Sequence, residues 1–249
     1  MAGFSLSGKN VLVTGASRGI GLAIARAFAA EGANVTLLAE TDQVLEAAAS
    51  IDGAKAIVCD VTDSAAVAAL DPGPLDVLVN NAGLERETRL DDPAAEEMFA
   101  RPMDINVTGM FRVTRAVLPR LASGGAIVNT ASIWGRYAPA GFSAYAASKH
   151  AVIGLTRAWS RELAPRRIRV NAVCPGWVGT DAALVSLRVM AEHCGLLEAE
   201  LRAEIEAGQD IPGLMDPADV AGLYLYLASP LSANITGQAI NVDRGEVQS

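Results

Sequence analysis

The sequence predicts an α/β fold, a doubly wound, seven-stranded and mainly parallel sheet with helices on both faces. Three observations predict it. Hydrophobic residues make up 51% of the 249 positions and aromatic ones only 5%, so Ala, Val, Leu and Ile must fill the core, as in strands covered on both sides. Short β-branched runs recur at Val11–Val13, Val35–Leu38, Ala56–Val58, Val77–Val79, Ala126–Val128 and Val170–Val173, each bounded by Gly, Asn, Asp or Pro. Helix-period stretches at Gly21–Gly32, Ala94–Leu121, Ser143–Ala164 and Asp216–Ala228 lie between or after them, and Ala239–Val242 supplies the seventh strand. This length suits one domain spanning 1–249 better than two small ones.

Two connections depart from an even alternation. Asp60 to Asp76 is short for a strand–helix–strand crossover and carries Asp71-Pro72-Gly73-Pro74, so its helix should be abbreviated. Residues 181–215 form the opposite case, with amphipathic stretches Leu184–Cys194 and Leu196–Ala207 between turn signals, and are expected to fold as a helical lid over the substrate. Pro102 interrupts an otherwise helical run and predicts a kink or a late helix start.

Bulk properties narrow the function. A net charge of −8 argues against binding nucleic acid or an anionic membrane through overall electrostatics, and directs attention to small-molecule partners. The three cysteines Cys59, Cys174 and Cys194 form no C-x-x-C pair and read as packing residues. No apolar run reaches the roughly 20 residues that cross a bilayer, and Met1–Lys9 lacks a hydrophobic signal core. A soluble protein of the reducing cytoplasm, with no metal site, is the expectation.

Thr14-Gly15-Ala16-Ser17-Arg18-Gly19-Ile20-Gly21 joins the first strand to a helix. Glycines there let backbone N–H groups approach a pyrophosphate at the helix N-terminus, as in a Rossmann-type dinucleotide site, although the spacing G-x-x-x-G-x-G differs from the usual fingerprint. Glu40, about 20 residues beyond Gly21 at the end of the second strand, can accept hydrogen bonds from the adenosine ribose hydroxyls and repel a 2′-phosphate. Arg18 pulls the other way by offering that phosphate a guanidinium. NAD is therefore favoured, with NADP still open.

Tyr145-Ala146-Ala147-Ser148-Lys149 places a phenol and an ammonium on one helical face. A nearby cation favours phenolate, which would make the tyrosine an acid–base group at ordinary pH. Ser132 follows the strand Ala126–Val128, where strand ends face a cofactor crevice, but a serine in that position also reads as a helix cap.

With the glycine loop, Asn80-Asn81-Ala82-Gly83, Asn106, Ser132 and Tyr145–Lys149 in this order, nearly the whole chain resembles the short-chain dehydrogenase/reductase family in its classical, single-domain type. The resemblance implies Tyr145 as general acid/base, Lys149 as the residue that contacts the nicotinamide ribose and lowers the phenol pKa, Ser132 as the ligand of the substrate oxygen, and Asn106 as support for a water-linked proton path. It implies cofactor contacts from Gly15, Ser17, Arg18, Gly19, Ile20 and Gly21, from Asp60 and Val61 at adenine, and from Asn81, Ala82 and Gly83 beside the ribose. Pro175, Gly176, Val178 and Thr180 resemble the loop that holds the carboxamide, and a homodimer or homotetramer is implied as well. The chain departs from the pattern in its short Asp60–Asp76 crossover, in Pro102, in Arg244 where a glycine is usual, and in the long 181–215 insert.

On the substrate side, Trp134, Phe142 and Trp177 flank the catalytic positions, and ordinary packing is as open a reading for each. His193, Arg86, Arg89 and Arg136 read as solvated surface groups. The function expected is hydride transfer between NAD(P) and a secondary alcohol or ketone. A 3-ketoacyl-carrier-protein reductase using NADPH, and a non-catalytic NAD(P)-sensing protein, are the alternatives.

Overall fold

The computed structural model of the chain describes residues 3–248. Met1, Ala2 and Ser249, which belong to the expected 1–249 domain and in part to the Met1–Lys9 expectation, lie outside the described residues. Seven strands, β1 (Asn10–Thr14), β2 (Asn34–Ala39), β3 (Lys55–Val58), β4 (Leu75–Asn80), β5 (Leu121–Thr130), β6 (Arg169–Pro175) and β7 (Ala239–Val242), form one sheet in the order β3-β2-β1-β4-β5-β6-β7. Every pairing is parallel. The strand order reverses between β1 and β4, and at that point a crevice opens beyond the carboxyl ends.

Strand side chains alternate between the two faces with period 2. Val11, Val13, Val35, Leu37, Val77 and Val79 enter one core with the helices α1 (Gly19–Ala30), α2 (Gln43–Ala49) and α9 (Pro217–Ala228). Leu12, Leu38, Leu78 and Ile127 enter the other core, with α3 (Ser64–Ala68), α5 (Met110–Val117) and α6 (Ser143–Glu162). Each fully buried Val, Leu or Ile contributes roughly 1.5–3 kcal/mol, so both faces must stay covered.

Several local differences from the sequence reading have physical causes. The expected short helix is only the five-residue α3, begun by Asp63, whose carboxylate accepts from the Ala65 and Ala66 N–H groups. The helical pattern at Ala94–Leu121 divides into α4 (Ala95–Met103), a π-helical stretch at Asp104–Gly109 and α5. Pro102 sits in the last turn of α4, where its missing N–H weakens the ladder, and the wider π turn follows. Leu121 belongs to β5, which is longer than the apolar core of that strand. Its pairing with β4 jumps from Leu75↔Leu121 to Val77↔Ala126, so Gly124 and Gly125 are absorbed without facing partners. α2 has no counterpart in the sequence reading, because seven residues present too little periodicity.

The 181–215 segment folds as α7 (Asp181–Cys194) and α8 (Glu198–Ala207). Its base is closed where Gly179 N–H donates to Met215 O (2.8 Å) and Met215 N–H to Trp177 O (3.2 Å). Its apolar side buries Leu187, Ala191 and Leu201 against Trp134 and Trp177. No helix among the described residues is long and apolar enough to cross a membrane.

Candidate active site

Two connected spaces occupy the crevice. The larger is a cleft of about 510 Å³ above the ends of β1, β2 and β4, and the smaller is a chamber of about 90 Å³ beneath α7. The cleft is lined by Gly15, Ser17, Arg18, Gly19, Ile20, Gly21, Glu40, Asp60, Val61, Asn81, Ala82, Gly83, Tyr145, Lys149 and Thr180. Pro175, Gly176 and Val178 line the adjoining chamber. The structure thus brings together every residue assigned to the cofactor from sequence.

Backbone geometry explains the glycines. A Cβ on Gly15, whose φ is +63°, would stand 2.6 Å from Ala82 Cα, and one on Gly21 would meet the Gly15 carbonyl and stand 2.5 Å from Asn81 Nδ2. Asn81 fastens this close approach, its side-chain amide donating to Thr14 O and Gly15 O, both at 3.1 Å. Thr14 Oγ1 in turn accepts from the N–H groups of Asn81 (2.9 Å) and Ala82 (3.0 Å). α1 begins without a side-chain cap and without an acid in its first turn. Its first N–H groups therefore face the cleft unpaired, a ready seat for a pyrophosphate.

At the adenosine end, Glu40 stands exposed one residue beyond β2. Asp60 accepts from Thr62 N–H and Oγ1 through one carboxylate oxygen, both at 2.8 Å. Burial pushes its carboxyl up, but the Thr62 hydrogen bonds and the more distant Arg101 outweigh this and hold it below the ordinary value.

The acid–base residues meet where cleft and chamber join. Tyr145 borders both spaces, Ser132 lines the chamber and Lys149 the cleft. Lys149 Nζ lies 5.4 Å from the Tyr145 ring centroid and donates to Thr130 O at 2.8 Å. Ser132 Oγ accepts from Trp134 N–H (3.1 Å) and lines the chamber beside Tyr145, so this serine is both the cap of a short turn and part of the site. Asn106, in the π-helical stretch, uses its amide to hold the loop after β4. Leu84 N–H donates to its Oδ1 (2.7 Å), and its Nδ2 donates to Leu84 O (3.0 Å) and Ser148 Oγ (2.9 Å).

Burial dominates the electrostatics. It pushes the Tyr145 phenol above its ordinary value, Glu85 adds to the rise and the nearby Ser132 hydroxyl opposes it. It pushes the Lys149 ammonium down to about 8, against the pull of Glu85. Desolvation dominates at the phenol, and the Lys149 ammonium directs its hydrogen bond at Thr130 O.

The family described as enoyl-(acyl carrier protein) reductase matches residues 15–246. The chain belongs to the short-chain dehydrogenase/reductase family. It is 41% identical to the putative ketoacyl reductase of the monensin polyketide synthase of Streptomyces virginiae, over 94% of this chain and 95% of that one. It is 39% identical to galactitol 2-dehydrogenase of Agrobacterium fabrum, over 98% and 99%. Among solved structures, an NAD+-bound xylitol dehydrogenase superposes with a TM-score of 0.88 at 32% identity, covering 97% of this chain and all of the other. As a member of this family the chain is an oxidoreductase of the NAD(P)-using type.

Within this short-chain dehydrogenase/reductase, the substrate side differs most from expectation. Trp134 and Trp177 line the chamber, their rings edge to face at 5.8 Å. Phe142 does not, because it is 1% exposed and packs behind Trp134 at 5.0 Å. Arg136 is not a free surface cation, for it donates to Asn241 Oδ1 (2.7 Å) and Ala239 O and ties β7 to the site. His193 Nδ1 lies 2.8 Å from Glu87 Oε1, linking α7 to the loop after β4. Cys59 and Cys174 are buried as expected, whereas Cys194 is exposed at the end of α7. Arg244 adopts φ +57°, the left-handed conformation its usual glycine allows freely, and its carbonyl accepts from Ile211 N–H at 3.0 Å. Sequence reasoning missed Glu85, which lines both spaces, and Ile133 and Ala183 in the chamber. The one available signal for Glu85 was its place directly after the Asn80–Leu84 turn, where the chain leaves β4 beside the crevice.

Proposed function

We propose that this oxidoreductase transfers hydride between NAD and a secondary alcohol or ketone, with Tyr145 as general acid/base. The observation that carries the reading is the position of the Tyr145 phenol on the boundary between cleft and chamber, with Ser132 on one side and Lys149 on the other. The glycine cradle and uncapped start of α1 fit the pyrophosphate, and Pro175, Gly176, Val178 and Thr180 fit the carboxamide end. Bound NAD+ would supply the hydride acceptor and a positive charge beside the phenol.

In oxidation, Ser132 Oγ orients the alcohol oxygen and Tyr145, as phenolate, takes its proton while the carbon gives up hydride. In reduction the neutral phenol, which burial already favours, donates that proton to the carbonyl oxygen. Asn106 keeps the loop after β4 in place beneath these groups. Residues 181–215 act as the lid of this single domain, and the faces of α4, α5 and α6, with Phe99 and Phe111 exposed, are assigned to a homodimer or homotetramer.

Glu40 supports NAD over NADP, since a carboxylate repels a 2′-phosphate, while exposed Arg18 lines the same cleft and pulls the other way. A second reading, reduction of a ketoacyl chain with NADPH, draws support from the Streptomyces relative's name. Turnover of an alcohol and ketone panel with NAD and NADP side by side separates the two. Tyr145→Phe should lower kcat by about 10²–10⁴-fold while NADH binding changes little. A fully active variant would sink the assignment.

A further inference from the structure

Among the described residues, Glu85 is the one acidic side chain that lines both the cofactor cleft and the chamber, where it stands with Thr130 and Tyr145. Its backbone is held in place from one side. Asn106 clamps the preceding residue through two hydrogen bonds to the Leu84 backbone, at 2.7 and 3.0 Å. Ser186, itself 5% exposed on α7, lies near its carboxylate. Lys149 faces it through space, but the Lys149 ammonium donates to Thr130 O and forms no ion pair with it.

A half-buried carboxylate that lines both spaces keeps several acceptor sites for donors that enter the chamber. Burial correspondingly pushes its carboxyl above the ordinary range. The donors must come from whatever fills the chamber. Ser132 and Tyr145 take the reacting oxygen, so the group that meets Glu85 is borne by the carbon next to it. Across the chamber, Trp134 and Trp177 offer apolar ring surfaces suited to C–H faces. An anionic group is repelled by Glu85, and a cationic one is disfavoured by Lys149.

We propose that Glu85 is a specificity-determining residue that accepts hydrogen bonds from a hydroxyl adjacent to the reacting carbinol, which makes polyols and sugars the substrate class of this site. The proposal rests on the hydride-transfer reading and narrows it. Sites built to hydrogen-bond a substrate hydroxyl reject analogues that lack it, because the buried partner is then left unpaired.

The test compares wild type, Glu85→Gln, Glu85→Ala and Ser186→Ala with NAD on galactitol and xylitol and, in parallel, on cyclohexanol. Wild type should prefer the polyols. The ratio of kcat/KM for polyol to that for cyclohexanol should fall on the order of 100-fold in both Glu85 variants, mainly through KM for the polyol. Ser186→Ala should keep the wild-type ratio within about threefold, which separates substrate recognition from support of α7. An unchanged ratio in the Glu85 variants, or an equal collapse in Ser186→Ala, would overturn the proposal. If wild type oxidises cyclohexanol but not the polyols, the Glu85 proposal falls and hydride transfer stands. If it oxidises no alcohol while still binding NADH, the hydride-transfer reading itself falls and takes the proposal with it.

Discussion

The two sides of the crevice are built by different means. The cofactor side is made of strand ends, helix N–H groups and glycines, and its shape follows from how closely Gly15 and Gly21 let the backbone approach Asn81 and Ala82. The substrate side is made of side chains, Trp134, Trp177, Ile133 and Glu85, roofed by a helical pair that packs on the connections beyond the strand ends through its own small core. One side constrains every sequence that folds this way. The other is free to differ without disturbing the sheet.

The strongest test of that separation is Gly21→Val, which would drive a branched side chain into the Gly15 carbonyl and the Asn81 amide. We expect a loss of about 4 kcal/mol or more in urea unfolding and no saturable NADH fluorescence. Normal NADH binding would show that the backbone cradle does not define the cofactor side. Leu187→Ala, in the core under α7, should cost about 2–5 kcal/mol and raise KM for alcohols. If NADH affinity weakens as much as alcohol affinity, the two sides are mechanically one.

Lys149 lies on the border between them, and its test is a pH profile. Its folded pKa of about 8 lies below the unfolded value of about 10.4, so between those values the unfolded chain holds more protons and stability should rise with pH. Relative to Lys149→Met, wild type should gain about 3 kcal/mol from pH 8 to pH 10.5, read from paired urea titrations. A flat or falling difference contradicts the buried, weakened ammonium. The smallest effect is expected at exposed Glu40. Glu40→Ala should shift the NAD/NADP preference by about tenfold, or ~1.4 kcal/mol, towards NADP. An unchanged preference would assign the choice to Arg18.

The legibility of the sequence follows the same division. Strands of β-branched residues bounded by turns were readable because a two-sided parallel sheet permits little else, and the cofactor residues were readable because backbone contact demands particular glycines and an Asn at fixed places. The Tyr145–Lys149 pair was readable through helical spacing. Its electrostatics were not, since desolvation depends on what α7 covers, which no local pattern records. Phe142 and Trp134 look alike in sequence and differ only in which of them lies in front. Glu85 was silent for the same reason, as its environment is assembled from β4, the π-helical stretch and α7, three distant segments. The helix at Gln43–Ala49 escaped notice because it is short.

The hydrogen bonds that join Trp177 and Gly179 to Met215 bring the two ends of the α7–α8 segment side by side. The segment behaves as a cassette plugged into one socket. Doubling the length of a loop with fixed ends costs only about 0.6 kcal/mol in closure entropy, so helices could be lengthened, shortened or exchanged at this socket while the sheet and glycine cradle stay as they are. Transplanting a relative's segment between Thr180 and Met215, with Thr180 kept, is thus a route to new substrates that leaves the glycine cradle and the Tyr145 centre in place.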